Sequence, residues 1–264
     1  MPIRVVVSGT GKMGQQLLEA FAAADDVEVV GVLEKFSDGD RYTLPAGGVV
    51  PLAQEVQALT GWGADVVVDF TNAAWTSELL PVAIASGVRP VIGTSGISEA
   101  LLAASVRGCA ARALGGVVAA NFALGAVMMM HLARVAAPFF EAVEVIEQHH
   151  DGKVDAPSGT GMATAEAMRE ARGSDFRRNV ADRETLPNAR GAALGGVTLH
   201  AVRLPGLVAH QTVLFGGLGE TLTIRHDSMN RDSFMPGVLR ATRAAMELDH
   251  LVVGLDRVLG LRSD

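Results

Sequence analysis

The first half of the chain alternates short apolar runs with segments of helical periodicity. The apolar runs are rich in β-branched residues and occupy residues 3–8, 27–33, 65–70, 88–93 and 116–120. Helix-like segments occupy residues 12–24, 73–86 and 98–113. An unbroken apolar strand such as Val66-Val67-Val68 is typical of a parallel sheet that is covered on both faces. Strand–helix alternation with short connections predicts βαβ units, and therefore a doubly wound, Rossmann-type α/β domain.

The pattern changes after residue 121. Residues 123–140 predict a long helix, with Leu124, Met128 and Leu132 at four-residue spacing along one stripe. A strand at 143–150 and a helix at 160–171 follow, and residues 173–196 are polar and show no periodicity. Three strand-like runs then succeed one another without helices, at 197–204, 207–215 and 220–226. This succession predicts a second, α+β domain with a mixed or antiparallel sheet.

A length of 264 residues corresponds to about two domains at roughly 150 residues each. A final helix at 232–248 and a short apolar run at 251–254 follow the second group of strands. We expect this segment to return to the first domain. The predicted domains are therefore residues 1–121, completed by 232–264, and residues 122–231.

Composition bears on membrane and nucleic-acid binding. Hydrophobic residues make up 49% of the chain, but the longest stretch without charged residues, 113–133, contains Asn121, His131 and the pair Gly115-Gly116. It therefore predicts a buried strand and a helix rather than a membrane span. The net charge of −7 argues against nucleic-acid binding, which needs a basic face. The single cysteine, Cys109, rules out an intramolecular disulfide and fits a cytoplasmic location.

A glycine-rich loop follows the first apolar run. Gly9, Gly11 and Gly14 form G-x-G-x-x-G at the start of a predicted helix, where free N–H groups favour a pyrophosphate. Glu34 lies twenty residues further on, at the end of the second run, where an acidic side chain can bind a ribose 2′-hydroxyl. Lys12 and Lys35 would instead suit a 2′-phosphate, so NADH, NADPH or both are expected. A plain turn and a solvated glutamate remain the alternatives.

The segment from Glu147 to Gly161 carries the most chemistry. His149 and His150 end a predicted strand, and Lys153 lies in the loop that follows. Adjacent strand residues point to opposite faces, so a regular strand would place only one histidine in a common pocket. Ser158, Gly159 and Thr160 then begin a helix whose N–H groups can hold an anion. The segment thus combines cations, N–H donors and a proton donor, which suits a small carboxylate substrate.

The residue types of this segment also allow other interpretations. A zinc site is disfavoured, because the one cysteine lies elsewhere and no His-x₃-His pair exists. A Ser-His-Asp nucleophile is compatible with the composition, but Ser158 lacks a G-x-S-x-G elbow. The residue types alone also leave open the interpretation that this segment is a structural loop whose histidines have no catalytic role.

The same segment resembles the signature of the dihydrodipicolinate reductases, E-x-H-H-x-x-K-x-D-A-P-S-G-T. Further resemblances extend along most of the chain and comprise the glycine loop at 9–14, V-D-F-T at 68–71, G-T-S at 93–95, A-A-N-F at 119–122, R-L-P-G at 203–206, A-H-Q at 209–211 and R-H at 225–226. The chain departs from the usual pattern at Ser8, which replaces a glycine, and at Ala120, Ser95 and Gly161, which replace a proline, a threonine and an alanine.

The resemblance implies an activity and a set of site residues. The activity is the NAD(P)H-dependent reduction of 4-hydroxy-tetrahydrodipicolinate with loss of water, in lysine biosynthesis by the diaminopimelate pathway. His149 would be the proton donor or acceptor and Lys153 the proton donor, while His150, Ser158, Gly159 and Thr160 would bind the cyclic dicarboxylate. The residues implied for the dinucleotide site are Ser8, Gly9, Thr10, Gly11, Lys12, Met13, Glu34, Lys35, Gly93, Thr94, Ser95, Ala119, Ala120, Asn121 and Phe122.

The resemblance also assigns roles to the two domains. The first would bind the dinucleotide, and the second would bind substrate and form a homotetramer through its sheet. No metal, nucleic acid or membrane partner is expected. One alternative is another Rossmann-type amino or imino acid dehydrogenase, similar to aspartate dehydrogenase. A second is a non-catalytic dinucleotide sensor, which would replace His149 or Lys153. The role of Arg231, a cofactor contact or a hinge salt bridge, stays open.

Overall fold

The computed structural model describes residues 1–178, 180 and 182–261, and its strands and helices alternate as the apolar pattern predicts. The strands are β1 (Ile3–Ser8), β2 (Val27–Leu33), β3 (Arg41–Thr43), β4 (Val49–Ala53), β5 (Val66–Asp69), β6 (Arg89–Ile92), β7 (Gly116–Val118), β8 (Ala142–His149), β9 (Ala192–Leu194), β10 (Val197–Arg203), β11 (Ala209–Gly217), β12 (Glu220–Ser228) and β13 (Leu251–Val253). The α-helices are α1 (Lys12–Ala22), α2 (Ala73–Ala85), α3 (Glu99–Ala110), α4 (Leu124–Ala136), α5 (Gly159–Arg172), α6 (Met235–Glu247) and α7 (Leu255–Val258).

Two compact units divide the chain. The first comprises Met1–Phe122 and the segment from Arg231 onward, and the second comprises Ala123–Asn230. Phe122 and Arg231, which the sequence places in the second domain, therefore belong to the first unit. Phe122 is buried there, with its ring 5.1 Å from that of Phe70, and this packing shifts the boundary by one residue.

The first unit contains an eight-stranded sheet in the order β13-β7-β6-β5-β1-β2-β4-β3. Every neighbouring pair is parallel except β3–β4, which is antiparallel. The central valines of β1 and β5 are completely buried, which explains why these strands lack alternating polar positions. The Rossmann-type architecture is confirmed, and β13 brings the last part of the chain back beside β7.

The second unit contains a five-stranded sheet in the order β12-β11-β8-β10-β9. Only the β8–β10 pair is parallel, so the expected mixed sheet is confirmed. Its core joins one sheet face, with Val145 and Phe215, to helix side chains such as Ala133 and Met168. Glu147 and His149 continue the Val145 face toward the end of β8.

Three details differ from the sequence-based elements. The short strands β3, β4 and β9 were not predicted. The predicted helix at 123–140 ends as α4 at Ala136 and continues as a short 3₁₀ turn, Ala137–Phe139. Its stripe of long side chains is not the buried face, because Met128 and Leu132 are 38% and 46% exposed while Met129 and Ala133 are buried. The helix therefore packs through the face that carries Ala126, Met129 and Ala133 rather than through the predicted stripe.

Candidate active site

The glycine loop joins β1 to α1 in a tightly packed turn. Gly9 has a φ of +86°, a region that favours glycine, and Gly11 is the N-cap of α1. A Cβ atom added to Gly14 would lie 1.9 Å from the backbone oxygen of Gly9. A Cβ added to Gly11 would meet nothing within 4 Å. Gly14 is therefore required by the packing of the turn, whereas Gly11 leaves open space at the start of the helix.

Glu34 lies directly after β2 and holds the glycine loop in place through hydrogen bonds. Its Oε2 accepts hydrogen bonds from the backbone N–H and the hydroxyl of Thr10, both at 2.7 Å, and its Oε1 accepts from the N–H of Phe36 at 3.2 Å. Burial raises the pKa of Glu34, but these donors outweigh it and hold the pKa below its ordinary value. Glu34 is thus a fixed carboxylate beside the glycine loop.

A cleft of about 620 Å³ opens over the loop within the first unit. The residues that line it are Ser8, Gly9, Gly11, Lys12, Met13, Gly14, Leu33, Glu34, Lys35, Phe36, Phe70, Thr71, Asn72, Ala74, Trp75 and Arg231. It therefore brings together the predicted loop residues with Glu34, both nearby lysines and Arg231. Thr10 does not line the cleft, since its donors are turned to Glu34.

Trp75 is a member of this cleft that the sequence reasoning missed. Its Nε1–H donates to Ser8 Oγ at 2.8 Å, and Lys35 Nζ lies 5.7 Å from the centroid of its ring. The hydroxyl of Ser8 is therefore the hydrogen-bond partner that anchors Trp75. Trp75 is 67 residues from Ser8, and no local pattern in the sequence links the two.

The other predicted dinucleotide residues lie outside the lining of this cleft. Thr94 is buried, and its hydroxyl donates to Asp69 at 2.9 Å and accepts from the N–H of Thr71 at 3.0 Å. A Cβ on Gly93 would meet the ring of Phe70 at 2.0 Å. The members of the set that do not line the cleft are Thr10, Gly93, Thr94, Ser95, Ala119, Ala120, Asn121 and Phe122. Gly93 and Thr94 therefore pack against the loop that carries Phe70 and Thr71.

In the second unit, a buried carboxylate organises the end of β8. Glu147 is completely buried, and each of its oxygens is hydrogen-bonded by the Arg203 guanidinium at 2.9 Å. Its Oε1 also accepts from the N–H of Ser158 at 3.0 Å, and its Oε2 lies 2.6 Å from His149 Nδ1. Burial raises the pKa of Glu147, but these partners hold it below the ordinary value. The carboxylate thus links β8, β10 and the start of α5.

His149 is the last residue of β8, and its side chain is 15% exposed. Burial lowers the pKa of His149, and the positive charges of Lys153 and Arg203 act in the same direction, while Glu147 partly opposes them. The net pKa is below the ordinary value. The imidazole is therefore neutral around neutral pH, which suits a group that accepts or relays a proton.

Lys153 and the start of α5 lie close together. Lys153 is 23% exposed, and its Nζ forms an ion pair with Asp155 Oδ1 at 2.6 Å. The hydrogen bond from Lys153 and the N–H of Gly159 lower the pKa of Asp155. Thr160 occupies the first turn of α5, after Gly159. The Asp155 carboxylate therefore lies between the lysine and this helix N-terminus.

The remaining predicted residues of this segment have different positions. Ser158 is the N-cap of α5: its Oγ accepts from the N–H of Gly161 at 3.1 Å, and the residue is buried. Its hydroxyl is thus engaged in starting the helix. His150 follows the strand end, is exposed, and accepts the N–H of Lys153 at 3.2 Å through its carbonyl. The strand breaks after His149, so the two imidazoles are not constrained to opposite faces of one regular strand.

Arg203 is the second residue that sequence reasoning missed as part of a site. In the sequence, Arg203 stands out only as the first residue of R-L-P-G. In the structure it pairs with Glu147 across β8 and β10, and it also donates a hydrogen bond to the carbonyl of Asp155. The described residues include no group of three or more His, Cys, Asp or Glu side chains arranged to hold a metal ion. No helix among them has the length and apolar character needed to cross a membrane.

Comparison with known proteins identifies the family. The models for the N-terminus and the C-terminus of dihydrodipicolinate reductase match residues 3–122 and 125–259. The 4-hydroxy-tetrahydrodipicolinate reductase of Halalkalibacterium halodurans is 42% identical over 262 residues, which cover 97% of this chain and 99% of that protein. The chain belongs to the dihydrodipicolinate reductase family. A family protein of the same name from Moorella thermoacetica is 43% identical, with coverage of 97% and 98%.

Solved structures agree with this assignment. The dipicolinate-bound dihydrodipicolinate reductase of Paenisporosarcina sp. TG-14 superposes with a TM-score of 0.88 at 42% identity, covering 97% of this chain and 99% of that one. An amine dehydrogenase from Mycobacterium smegmatis has a TM-score of 0.70 at 16% identity, covering 100% and 98% of the two chains. The second likeness shows the fold alone. As a reductase with a Rossmann domain, this family member uses a nicotinamide cofactor.

Proposed function

We propose that this chain reduces 4-hydroxy-tetrahydrodipicolinate to tetrahydrodipicolinate, with loss of water, in lysine biosynthesis by the diaminopimelate pathway. The observation that carries the proposal is the grouping of His149, Lys153 and the start of α5 in a chain 42% identical to a reductase of that name. The structural relative bound to dipicolinate supports a small cyclic dicarboxylate as the substrate class.

The cleft of the first unit fits a dinucleotide. Gly11 leaves room at the N-terminus of α1, where a pyrophosphate is favoured, and Glu34 is a fixed acceptor beside it. Lys12, Lys35 and Arg231 add positive charge to the lining. When bound, the reduced nicotinamide supplies the hydride. We propose that NADH and NADPH are both used, because the cleft offers a carboxylate for a 2′-hydroxyl and cations for a 2′-phosphate.

The second unit would provide acid–base chemistry and substrate binding. Loss of the 4-hydroxyl leaves a conjugated imine, which accepts a hydride at C4 and a proton. Lys153 Nζ is a cationic donor suited to deliver that proton, and His149 is the group that accepts or returns one. The N–H groups of Gly159 and Thr160 and the imidazole of His150 would hold carboxylates. Ser158 would contribute by starting the helix that presents those N–H groups.

The enzyme is proposed to be a cytoplasmic homotetramer assembled through the sheet of the second unit. The sheet face opposite the helices carries Ile146 and Leu214, which are only partly buried within one chain, and this supports an interface there. Sedimentation at several protein concentrations would test the assembly. A single species with the mass of one chain would contradict it.

The substitution Glu34→Ala is expected to weaken the binding of NADH more than the binding of NADPH. Losing the carboxylate removes an acceptor for the 2′-hydroxyl, while a 2′-phosphate loses an unfavourable negative neighbour. Dissociation constants for both reduced cofactors, measured by fluorescence titration, check this prediction. Glu78→Ala removes a nearby exposed carboxylate that pairs with Lys35 at 3.8 Å and serves as the control. Equal losses for NADH and NADPH in Glu34→Ala would contradict the assigned role.

The activity itself is tested with a substrate panel. The purified protein, with NADH or NADPH, is offered 4-hydroxy-tetrahydrodipicolinate, oxaloacetate with ammonia, and other imino acids, and oxidation of the cofactor is followed. We expect turnover of the cyclic dicarboxylate alone. A higher kcat/KM with oxaloacetate and ammonia would instead identify an aspartate dehydrogenase-like enzyme.

A further inference from the structure

The carboxylate of Glu147 has a set of partners that determines its charge. Three residues make four hydrogen bonds to it: Arg203 donates two, the backbone N–H of Ser158 donates one, and His149 Nδ1 makes the fourth. Neither a guanidinium nor a backbone N–H can accept a proton. A protonated Glu147 could direct its hydroxyl only at His149 Nδ1, and it would give up the ion pair that the Arg203 guanidinium makes with both carboxylate oxygens. The paired guanidinium therefore favours the ionised carboxylate, in line with the lowered pKa of Glu147.

The charge of Glu147 in turn determines which nitrogen of His149 carries a proton. An ionised carboxylate only accepts hydrogen bonds, and its Oε2 lies 2.6 Å from Nδ1. Nδ1 must therefore be the protonated nitrogen in the neutral imidazole, and Nε2 carries the lone pair. Because Glu147 and Arg203 are rigid parts of two paired strands, the ring is also held in one orientation.

We propose that Glu147, held ionised by Arg203, is a positioning residue that keeps the proton of His149 on Nδ1 and leaves Nε2 as the atom that exchanges protons with the substrate. This inference rests on the proposed function. It gives Glu147 and Arg203 a role in catalysis although neither residue contacts the reacting atoms. It also explains why a completely buried acidic side chain occupies a β-strand position that otherwise continues the apolar face of Val143 and Val145.

The same strand offers a matched control. Glu144 lies on the opposite face of β8 and also pairs with an arginine and a histidine, Arg190 and His200 Nε2, the latter at 2.7 Å. Glu144→Gln therefore removes one negative charge from the same strand, together with its ion pairs to an arginine and a histidine. It does so away from His149 and Lys153. Because Glu144 lies on the sheet face proposed as the subunit interface, the variant is assayed at a protein concentration where sedimentation gives the same mass as wild type.

Glu147→Gln is the informative variant. The amide NH₂ can donate a hydrogen bond but cannot accept one, and His149 is the only one of the three partner residues that can change from donor to acceptor. The amide therefore turns its NH₂ toward Nδ1, and the proton of His149 moves to Nε2. We expect kcat to fall about 10- to 100-fold, as in other sites where the residue that orients a histidine is removed, with KM for the dicarboxylate changed less than about threefold. In Glu144→Gln, kcat stays within about twofold of wild type.

The pH profile gives a readout that a purely structural role would not move. The charged groups that face His149 are Glu147 on β8, Arg203 on β10 and Lys153 in the loop, and only Glu147 favours the imidazolium. Glu147→Gln should therefore shift the acid limb of kcat/KM to lower pH, and Glu144→Gln should leave it in place. An unmoved limb with wild-type kcat in folded Glu147→Gln would overturn the proposal.

A measurement on the wild-type protein covers the case in which Glu147→Gln does not fold. ¹⁵N-histidine NMR distinguishes the two neutral tautomers, and the signals of His149 are assigned by their absence in His149→Asn. We expect the Nδ1–H tautomer near neutral pH, and finding Nε2–H would overturn the proposal. The tautomer is read without substrate, so a wild-type protein with the Nδ1–H tautomer but no turnover of the cyclic dicarboxylate would refute the proposed function separately.

Discussion

Lys153→Ala is expected to lower kcat by about 100-fold or more, the range that a positioned general acid contributes. Lys153 is the only lysine in the sequence of the second unit. Its ammonium lies beside the N-terminus of α5 in an ion pair with Asp155. In the proposed mechanism, removing it takes away both the proton donor and a positive charge that faces the dianionic substrate. Steady-state kinetics with substrate and NADH saturating measure the first effect, and KM for the substrate measures the second.

Arg169→Ala is the control for this variant. Arg169 lies on α5 and forms an exposed ion pair with Asp175 at 2.6 Å, the same distance as the Lys153–Asp155 pair. Exposed pairs of this kind contribute about 0–1 kcal/mol to stability, so both variants should remain folded. Wild-type turnover in Lys153→Ala would contradict the assignment of the lysine as the acid.

Gly14→Ala is expected to destabilise the protein by about 1–3 kcal/mol, the cost of inserting an atom into a close-packed site. The new Cβ would lie 1.9 Å from the backbone oxygen of Gly9, and a backbone atom cannot swing aside as the end of a side chain can. The turn between β1 and α1 must then shift, and dinucleotide binding should be lost with it. Denaturant unfolding measures the first effect, and titration with NADH measures the second.

Gly11→Ala separates the fold of the loop from its function. Its Cβ would meet no protein atom within 4 Å, so the unfolding free energy should change by less than about 1 kcal/mol, as for a change at a helix N-cap. The methyl group would instead occupy the space that a pyrophosphate needs, and NADH affinity should fall at least about tenfold. Unchanged affinity would show that the pyrophosphate does not bind at this loop.

The sequence predicts a secondary-structure element correctly where a single apolar run determines it. The valines of β1 and β5 are buried on both sides, so their apolar runs predict strands with nearly the observed bounds. The strands β3 and β9 contain three residues each and pair at the sheet edges, so their sequences are too short to mark a strand. For α4, the spacing predicts the helix but not its buried face, because neighbouring elements select that face.

The candidate site was predictable only in part, for a similar reason. The glycine loop and the segment from His149 to Thr160 are contiguous, so their motifs can be recognised. Arg203 is 56 residues from Glu147, and Trp75 is 67 from Ser8. These pairs depend on strand and helix packing rather than on spacing. Glu147 is visible in the motif, but its role follows only from four hydrogen bonds to three residues of different elements, His149, Ser158 and Arg203.

The charge of the whole chain is a poor guide to the ligand. A net charge of −7 predicts no preference for an anion. The structure nevertheless brings His149, Lys153, Arg203 and a helix N-terminus into one unit around Glu147, and it gathers Lys12 and Lys35 in the cleft of the other. Local hydrogen-bond donors and positive charges, rather than the net charge of the chain, are therefore the features that fit an anionic ligand in both candidate sites.

The most direct test is a crystal structure of the protein with NADH and pyridine-2,6-dicarboxylate. We predict one carboxylate of the ligand between Lys153 Nζ and the N–H groups of Gly159 and Thr160, with the Asp155 side chain displaced from the lysine. We also predict the pyrophosphate at Gly11. A dicarboxylate bound elsewhere, with the Lys153–Asp155 pair intact, would contradict the account of the active site.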